Sequence, residues 1–298
     1  PSLCRCLGLL TTLGELTDAG VLSTFDGGPE QVWSVAPDNH AIAAYYRNGA
    51  LHHFVDRAIV ELGMFAVADG ALGLEELDQS GEDPVPRGFA AVGPAEALRL
   101  RDLLKFEFFF PAKREYIDRL AAELDLIAPE WREVEPTAEW VHSKLREHAD
   151  QLLARRTLQT FFDAQLVVAT HLVRRSGESP DKATVLADCL GLGRQLVLQG
   201  VIHSKDSVSK DLYDAAYRLA ENRGAVGEGQ PDEQLRLRRA WLAEVDELRD
   251  RLAQIAAIEA EHAAAALADS TVASGDAEAD APVAVASGTT MTDATGEK

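Results

Sequence analysis

A group of polar and aromatic residues on one predicted helix could bind a charged ligand: Tyr45-Tyr46-Arg47-Asn48, with His52 further along. The Arg47 guanidinium has the donor geometry to hold a phosphate group through two parallel hydrogen bonds. Asn48 and His52 are four residues apart, so they are neighbours on one helix face. Tyr46, Arg47, Asn48 and His52 are therefore candidates either for phosphate binding or for a buried polar set that holds this helix against another domain. We favour the interdomain role, because an isolated Arg on an apolar helix more often anchors an interface.

A second distinctive segment runs from Leu100 to Phe110 and ends in four phenylalanines within five residues, Phe106-Glu107-Phe108-Phe109-Phe110. Lys105, Lys113 and Arg114 flank this run, as basic residues do on a surface that faces lipid headgroups. Burial is the simpler interpretation, because a fully buried phenylalanine stabilises a fold by about 1.5 to 3 kcal/mol. The run therefore predicts a core contact, with membrane contact as the alternative.

Both segments resemble the C-terminal region of the large membrane-associated glycerol-3-phosphate acyltransferases, whose bacterial form is the PlsB type. The resemblance continues through Leu196-Val197-Leu198-Gln199-Gly200-Val201-Ile202 and from Val208 to Asn222, so it covers about residues 1 to 225. It implies transfer of a fatty acyl group from acyl-CoA or acyl-carrier protein to glycerol 3-phosphate. This is a step of phospholipid synthesis, and it would place the protein peripherally at the cytoplasmic face of the cell membrane. Enzymes that acylate dihydroxyacetone phosphate share similar motifs, so the acceptor stays open.

The chemistry of that family depends on a His-x-x-x-x-Asp motif, in which the carboxylate orients the imidazole that acts as general base. None of the 8 histidines in this chain has Asp five residues later. His142 with Glu147 comes nearest, but the pair lies on a charged amphipathic helix, which favours a solvated face. We therefore expect no catalytic residue here and an N-terminal acyltransferase domain as the missing partner. The start at Pro1, inside a predicted helix, is also what a fragment would show.

A non-catalytic helical module for protein interactions is the alternative function. Under that hypothesis, the first helix and hairpin and the last amphipathic helix bind partner proteins. The sequence encoded upstream of this chain would distinguish the acyltransferase from the interaction module, because only the acyltransferase requires a His-x-x-x-x-Asp motif in that upstream sequence.

Composition excludes several other classes of protein. The formal net charge of −20 makes nucleic acid an unsuitable partner, because its phosphates would be repelled. Cys4, Cys6 and Cys189 are too few for a disulfide framework and lack metal-ligand spacing, so no metal is predicted. Gly191-Leu192-Gly193-Arg194 has two of the three glycines of a dinucleotide fingerprint, so no cofactor is predicted. Charged residues interrupt every apolar run before the roughly 18 to 20 residues that span a bilayer.

The predicted fold is mainly α. Residues 1–38 resemble a winged-helix unit, because leucines at helical spacing stop at Gly20 and two β-favouring runs, 21–25 and 31–35, follow around a glycine-containing loop. Residues 39–225 are predicted to form a multi-helix domain. Its first helix ends near residue 68, and later helices are expected near 93–110, 111–126, 136–151, 157–176, 180–200 and 206–223.

The end of the chain differs in composition from the rest. Residues 226–268 combine a linker with an amphipathic helix, whose narrow a/d stripe fits a partner surface or a coiled coil: Trp241, Val245, Leu248, Leu252 and Ile255. Residues 269–298 contain no Leu, Ile, Phe, Trp or Tyr, and so cannot bury enough surface to offset their ordering entropy. They are predicted to form a disordered tail.

Overall fold

The structure is a computed structural model that describes residues 2–28, 31–35, 37–39, 43, 49–68, 93–134, 136–175 and 181–278. The described part is mainly helical, as predicted. An N-terminal helix precedes a two-stranded hairpin, and a multi-helix domain follows. The elements are α1 (Ser2–Asp18), β1 (Leu22–Phe25), β2 (Val32–Val35), α2 (Val55–Ala68), α3 (Pro94–Leu104), α4 (Lys113–Ile127), α5 (Ala138–Glu147), α6 (Ala154–Arg174), α7 (Lys182–Leu198), α8 (Lys210–Asn222) and α9 (Pro231–Glu278).

The N-terminal unit confirms the predicted helix and hairpin. Gly20 ends α1 with a φ of +73°, a conformation that glycine adopts without steric cost. The N–H of Val21 then donates to the carbonyl of Leu16 at 2.9 Å, which is the bonding pattern of a glycine-terminated helix. Strands β1 and β2 pair antiparallel, with Leu22 opposite Val35, and α1 packs on β1. A short helix and a hairpin therefore form the small winged-helix-like unit.

Helix α6 is the centre of the helical domain. It packs against α2, α7, α8 and α9, and every residue from Phe162 to Ala169 is buried. A helix that is buried on all sides lies in the core of a domain, because no face is left for solvent. Helices α2, α7, α8 and α9 therefore surround α6, and α3, α4 and α5 pack on α2.

The apolar stripe of α9 packs on this same chain, and its most extensive contact is with α6. All members of the stripe are at most 2% exposed: Trp241, Val245, Leu248, Leu252 and Ile255. The sequence predicted the stripe but left its partner open between another surface and a coiled coil. The structure shows that the partner is the central helix. Ala225 and Val226, in the stretch before α9, are buried as well.

Two predicted helices are shorter in the structure. The helix expected over 93–110 ends at Leu104, and a hydrogen-bonded turn follows in which the N–H groups of Glu107 and Phe108 donate to the carbonyl of Leu104. The helix expected from residue 39 is interrupted by a 3-10 turn at Leu51–His53: residues 43, 49 and 50 before the turn are helical, and α2 begins at Val55 after it. Continuous burial also begins at Val55. Residues 40–42 and 44–48 lie outside the described residues.

Helix α9 extends further than predicted. It continues to Glu278, ten residues into the segment that was predicted to be disordered. Helix propagation needs no apolar surface once a nucleus exists, which accounts for this extension. Residues 279–298 lie outside the described residues.

Candidate functional site

His52 is the one sequence-predicted candidate that the structure describes, since Tyr46, Arg47 and Asn48 lie outside the described residues. His52 is exposed in the 3-10 turn before α2. Its ring centroid is 3.7 Å from that of His53. His52 therefore faces outward at this point, and the roles proposed for the four candidates stay predictions.

His142 and Glu147 have separate partners and do not form a catalytic pair. Glu147 is exposed and accepts hydrogen bonds from Ser143 Oγ at 3.1 Å and Lys144 Nζ at 2.8 Å. The His142 ring makes an edge contact with Phe65, with 5.6 Å between the centroids. The Glu147 carboxylate therefore lies on a solvated helix face, whereas the His142 imidazole is part of a packing contact.

Glu61 of α2 is a buried carboxylate that the search for catalytic motifs missed. Its side chain is 0% exposed and accepts hydrogen bonds from the N–H groups of Leu153, at 2.8 Å, and Ala154, at 2.7 Å. Arg57 Nε donates to its other oxygen at 2.9 Å. Burial raises the pKa of Glu61, while the two N–H donors and Arg57 oppose that rise. Glu61 thus caps the N-terminus of the central helix α6 from a different helix.

Asp163, in the middle of α6, is a second buried carboxylate. It is 0% exposed and accepts hydrogen bonds from Gln159 Nε2 at 2.9 Å and from Arg249 Nε of α9 at 2.8 Å. The N–H of His203 donates to its second oxygen at 2.8 Å. Asp163 therefore fixes the turn after α7 to both α6 and α9.

Ion pairs tie α9 to the helices of the domain. Glu96 of α3 and Arg251 of α9 are both buried and lie 2.6 Å apart. Arg223, just after α8, bridges Asp102 of α3 at 2.9 Å and Glu244 of α9 at 2.6 Å. The buried Glu96–Arg251 pair fixes the geometry of packing, because removing one partner leaves an uncompensated buried charge.

Arg238 of α9 closes the other end of the central helix. It is 1% exposed, and its guanidinium donates to the carbonyls of Leu172 at 3.0 Å and Arg175 at 3.2 Å. It also donates to the carbonyl of Ala225 at 2.8 Å. A cation at a helix C-terminus is favourable, because the last carbonyls have no partner within the helix.

The aromatic turn, residues 106–111, divides the four phenylalanines into two groups. Phe108 and Phe110 contact the rings of Phe161 and Tyr116 edge-on, at centroid distances of 4.8 and 5.5 Å. The core interpretation therefore fits Phe106, Phe108 and Phe110, which are partly buried against the core. It fails for Phe109, which is 95% exposed. One of the four aromatic rings therefore faces solvent.

Glu107 of the aromatic turn titrates near neutrality. Burial raises its pKa to about 7, against the opposing effect of Arg218, and Asp211 adds to the rise. The folded state therefore binds more protons than the unfolded state between about pH 4.5 and 7. Stability should fall as the pH rises through this window.

We expect Glu107→Gln to remove part of this pH dependence. Relative to wild type, the variant should gain about 1 to 2 kcal/mol in free energy of unfolding between pH 5 and 8, a value that allows for solvent screening of a partly exposed carboxyl. Urea unfolding at several pH values measures the effect. The exposed Glu147→Gln is the control, and identical pH profiles for the two variants would contradict the prediction.

A shallow groove of about 470 Å³ lies between the end of α6 and the middle of α7. Arg175 Nη2 lies 2.9 Å from Asp188 Oδ2, and His171 Nε2 lies 3.7 Å from the same oxygen. The Asp188 carboxylate therefore offsets part of the positive charge of the arginines in the groove, and we assign no ligand to it. Its lining residues are His171, Arg174, Arg175, Ala187, Asp188, Gly191 and Leu192.

The described residues thus form a helical domain in which buried carboxylates bind backbone N–H groups and arginines of other elements. The sequence matches the family described as the glycerol-3-phosphate acyltransferase C-terminal region over residues 7–229. The chain belongs to this family.

Similar proteins occur in mycobacteria. The chain is 39% identical over 219 residues to proteins named "Putative acyltransferase plsB1" in Mycobacterium bovis and in two strains of Mycobacterium tuberculosis. The alignment covers 72% of this chain and 33% of each relative, so the chain spans about a third of the length of the curated relatives it matches. No solved structure matches the chain. Within the described ranges, no helix is both long and apolar enough to cross a bilayer.

Proposed function

We propose that this chain is the C-terminal region of a glycerol-3-phosphate 1-O-acyltransferase that acts in phospholipid synthesis. The observation that carries the proposal is the family match over residues 7–229. In the proposed reaction, the sn-1 hydroxyl of glycerol 3-phosphate attacks the thioester carbonyl of acyl-CoA or acyl-carrier protein. A C–O bond forms and the C–S bond breaks, and the hydroxyl proton passes through the general base to the departing thiolate.

The general base would come from a region outside this sequence. None of the 8 histidines is followed by Asp at the required spacing, and the chain spans 33% of the relatives' length. We propose that residues 1 to 225 contact the acyltransferase domain and complete its substrate cleft. The segment from Tyr45 to His52 is the candidate contact, and the exposure of His52 is compatible with it.

We also propose a peripheral location at the cytoplasmic face of the membrane, since both the acyl chain and the product are lipids. Support comes from Phe109, which is 95% exposed on a turn with basic neighbours. The acyl donor, and glycerol 3-phosphate as the acceptor, are proposed from the family relationship.

Purified residues 1–298 should not acylate glycerol 3-phosphate with palmitoyl-CoA, because a general base oriented by Asp is missing from the sequence. Release of free thiol measures turnover, which should equal the protein-free blank. The same assay on a longer protein that includes the upstream reading frame should show activity, and replacing the His of its His-x-x-x-x-Asp motif should abolish it.

Turnover by the 298-residue chain that is lost in His142→Ala would contradict this proposal. A start codon directly before Pro1 would contradict it too, and would favour the interaction-module alternative.

A further inference from the structure

The aromatic turn holds Phe109 away from the protein on a fixed backbone. Arg101 Nη2 of α3 donates to the carbonyl of Pro111 at 3.0 Å, and the rings of Phe108 and Phe110 contact α6 and α4. Three surrounding helices therefore determine the conformation of the turn. Phe109 at its tip is 95% exposed, the highest value among the exposed large hydrophobic residues described.

The charge around this turn is opposite in sign to that of the chain. Residues 105 to 114 contain three basic residues and one acidic residue, a formal charge of +2 in a chain of −20. Arg218 of α8 adds a cation whose Cζ lies 4.7 Å from the centroid of the Phe106 ring. Lys105 is paired with Asp102, which also binds Arg223, so Lys113, Arg114 and Arg218 are the cations that carry this charge. The surface around Phe109 is thus suited to an anionic partner.

We propose that the aromatic turn is the element with which this protein contacts an anionic lipid bilayer, with Phe109 inserted between the headgroups. The inference rests on the proposed function, which places the protein peripherally at a membrane. A phenylalanine ring among lysine and arginine side chains fits the bilayer interface, because the ring buries at the boundary between headgroups and acyl chains and the cations attract anionic lipids.

A bilayer fits this surface better than a protein partner does. The centre of a protein interface is depleted in lysine, whereas Lys105 and Lys113 lie close to Phe109 in the sequence. The turn is also held by its neighbours before contact, so insertion costs little additional ordering entropy.

The test is co-sedimentation of the 298-residue chain with vesicles of phosphatidylcholine that contain phosphatidylglycerol. We expect the wild type to bind these vesicles and to bind pure phosphatidylcholine vesicles more weakly. Phe109→Ala should lower the partition coefficient about tenfold, which is about 1.4 kcal/mol. The double variant Lys113→Glu/Arg114→Glu should lower binding to the anionic vesicles and leave binding to the neutral vesicles unchanged.

Leu198→Ala is the matched control, because Leu198, the last residue of α7, is 88% exposed away from the aromatic turn. This control should bind as the wild type does. As a second measurement, Phe109→Trp should show a blue-shifted emission with anionic vesicles that the wild-type tryptophans do not show. Failure of the wild type to bind anionic vesicles, or equal binding by Phe109→Ala and wild type, would overturn the inference.

Acyltransferase activity of the longer protein in detergent micelles separates this inference from the proposed function. Activity that is retained by Phe109→Ala in micelles, together with lost vesicle binding, supports both proposals. Absence of activity in the wild-type longer protein would contradict the proposed function alone. If Phe109→Ala instead lowers the melting temperature of the longer protein while vesicle binding is unchanged, Phe109 is covered by protein, and the membrane inference is wrong.

Discussion

A chain that ends at Gln230 should fail to fold cooperatively, although it retains all of residues 7–229 that match the family. The deletion removes the stripe of α9 from the central helix α6: Trp241, Val245, Leu248, Leu252 and Ile255. Each such side chain contributes about 1.5 to 3 kcal/mol on burial, so the loss is about 7 to 15 kcal/mol. That equals the whole stability of a typical domain, about 5 to 15 kcal/mol. Near-UV circular dichroism and thermal melting measure the result.

The matched control is a chain that ends at Ala268. Residues 261–268 are exposed, and the buried stripe ends at Ile255, so this shorter deletion keeps the packed part of α9. Its melting temperature should equal that of the full chain. A cooperative transition at an unchanged temperature in the chain that ends at Gln230 would show that α9 is dispensable for the fold.

Glu61→Ala should lower the free energy of unfolding by about 3 to 5 kcal/mol, the loss typical of breaking a buried ion pair. The substitution leaves the N–H groups of Leu153 and Ala154 without their acceptor and removes the partner of Arg57. Glu61→Gln should lose less, because an amide oxygen still accepts a hydrogen bond from one of those N–H groups. Urea denaturation at constant pH measures both variants.

Glu147→Ala is the control for this effect. Glu147 is exposed and pairs with Lys144 on the surface of α5, so its loss should leave the free energy of unfolding nearly unchanged. Equal effects of Glu61→Ala and Glu147→Ala would show that the buried carboxylate does not stabilise the start of α6.

Several parts of the fold and of the candidate site follow from short-range sequence patterns. Leucine spacing and Gly20 predicted α1 and its end, and two β-favouring runs predicted the hairpin. The spacing of Trp241 to Ile255 predicted the buried face of α9. In each case the information lies within a few residues, because helix and strand periods decide which side chains share a face. The lack of His-x-x-x-x-Asp is also a property of the sequence alone.

Tertiary packing decided what these patterns leave open. Glu61 accepts hydrogen bonds from backbone groups that are 92 and 93 residues further along the chain, and no local spacing encodes such a partner. The sequence marked Glu61 as a charge within an apolar run, which was a usable sign of a buried ion pair. Similarly, Phe108 and Phe109 are chemically identical neighbours, and only the position of Phe161 on α6 makes one of them a core contact.

By itself, then, the sequence determined the helical class, the hairpin, the apolar face of α9 and the family to which the chain belongs. The tertiary structure alone decided that α9 packs on α6, that Glu61 and Asp163 fix distant segments, and that Phe109 is exposed. The physical reason is that periodicity defines which face of an element is apolar, whereas the partner of that face depends on contacts between residues far apart in the chain.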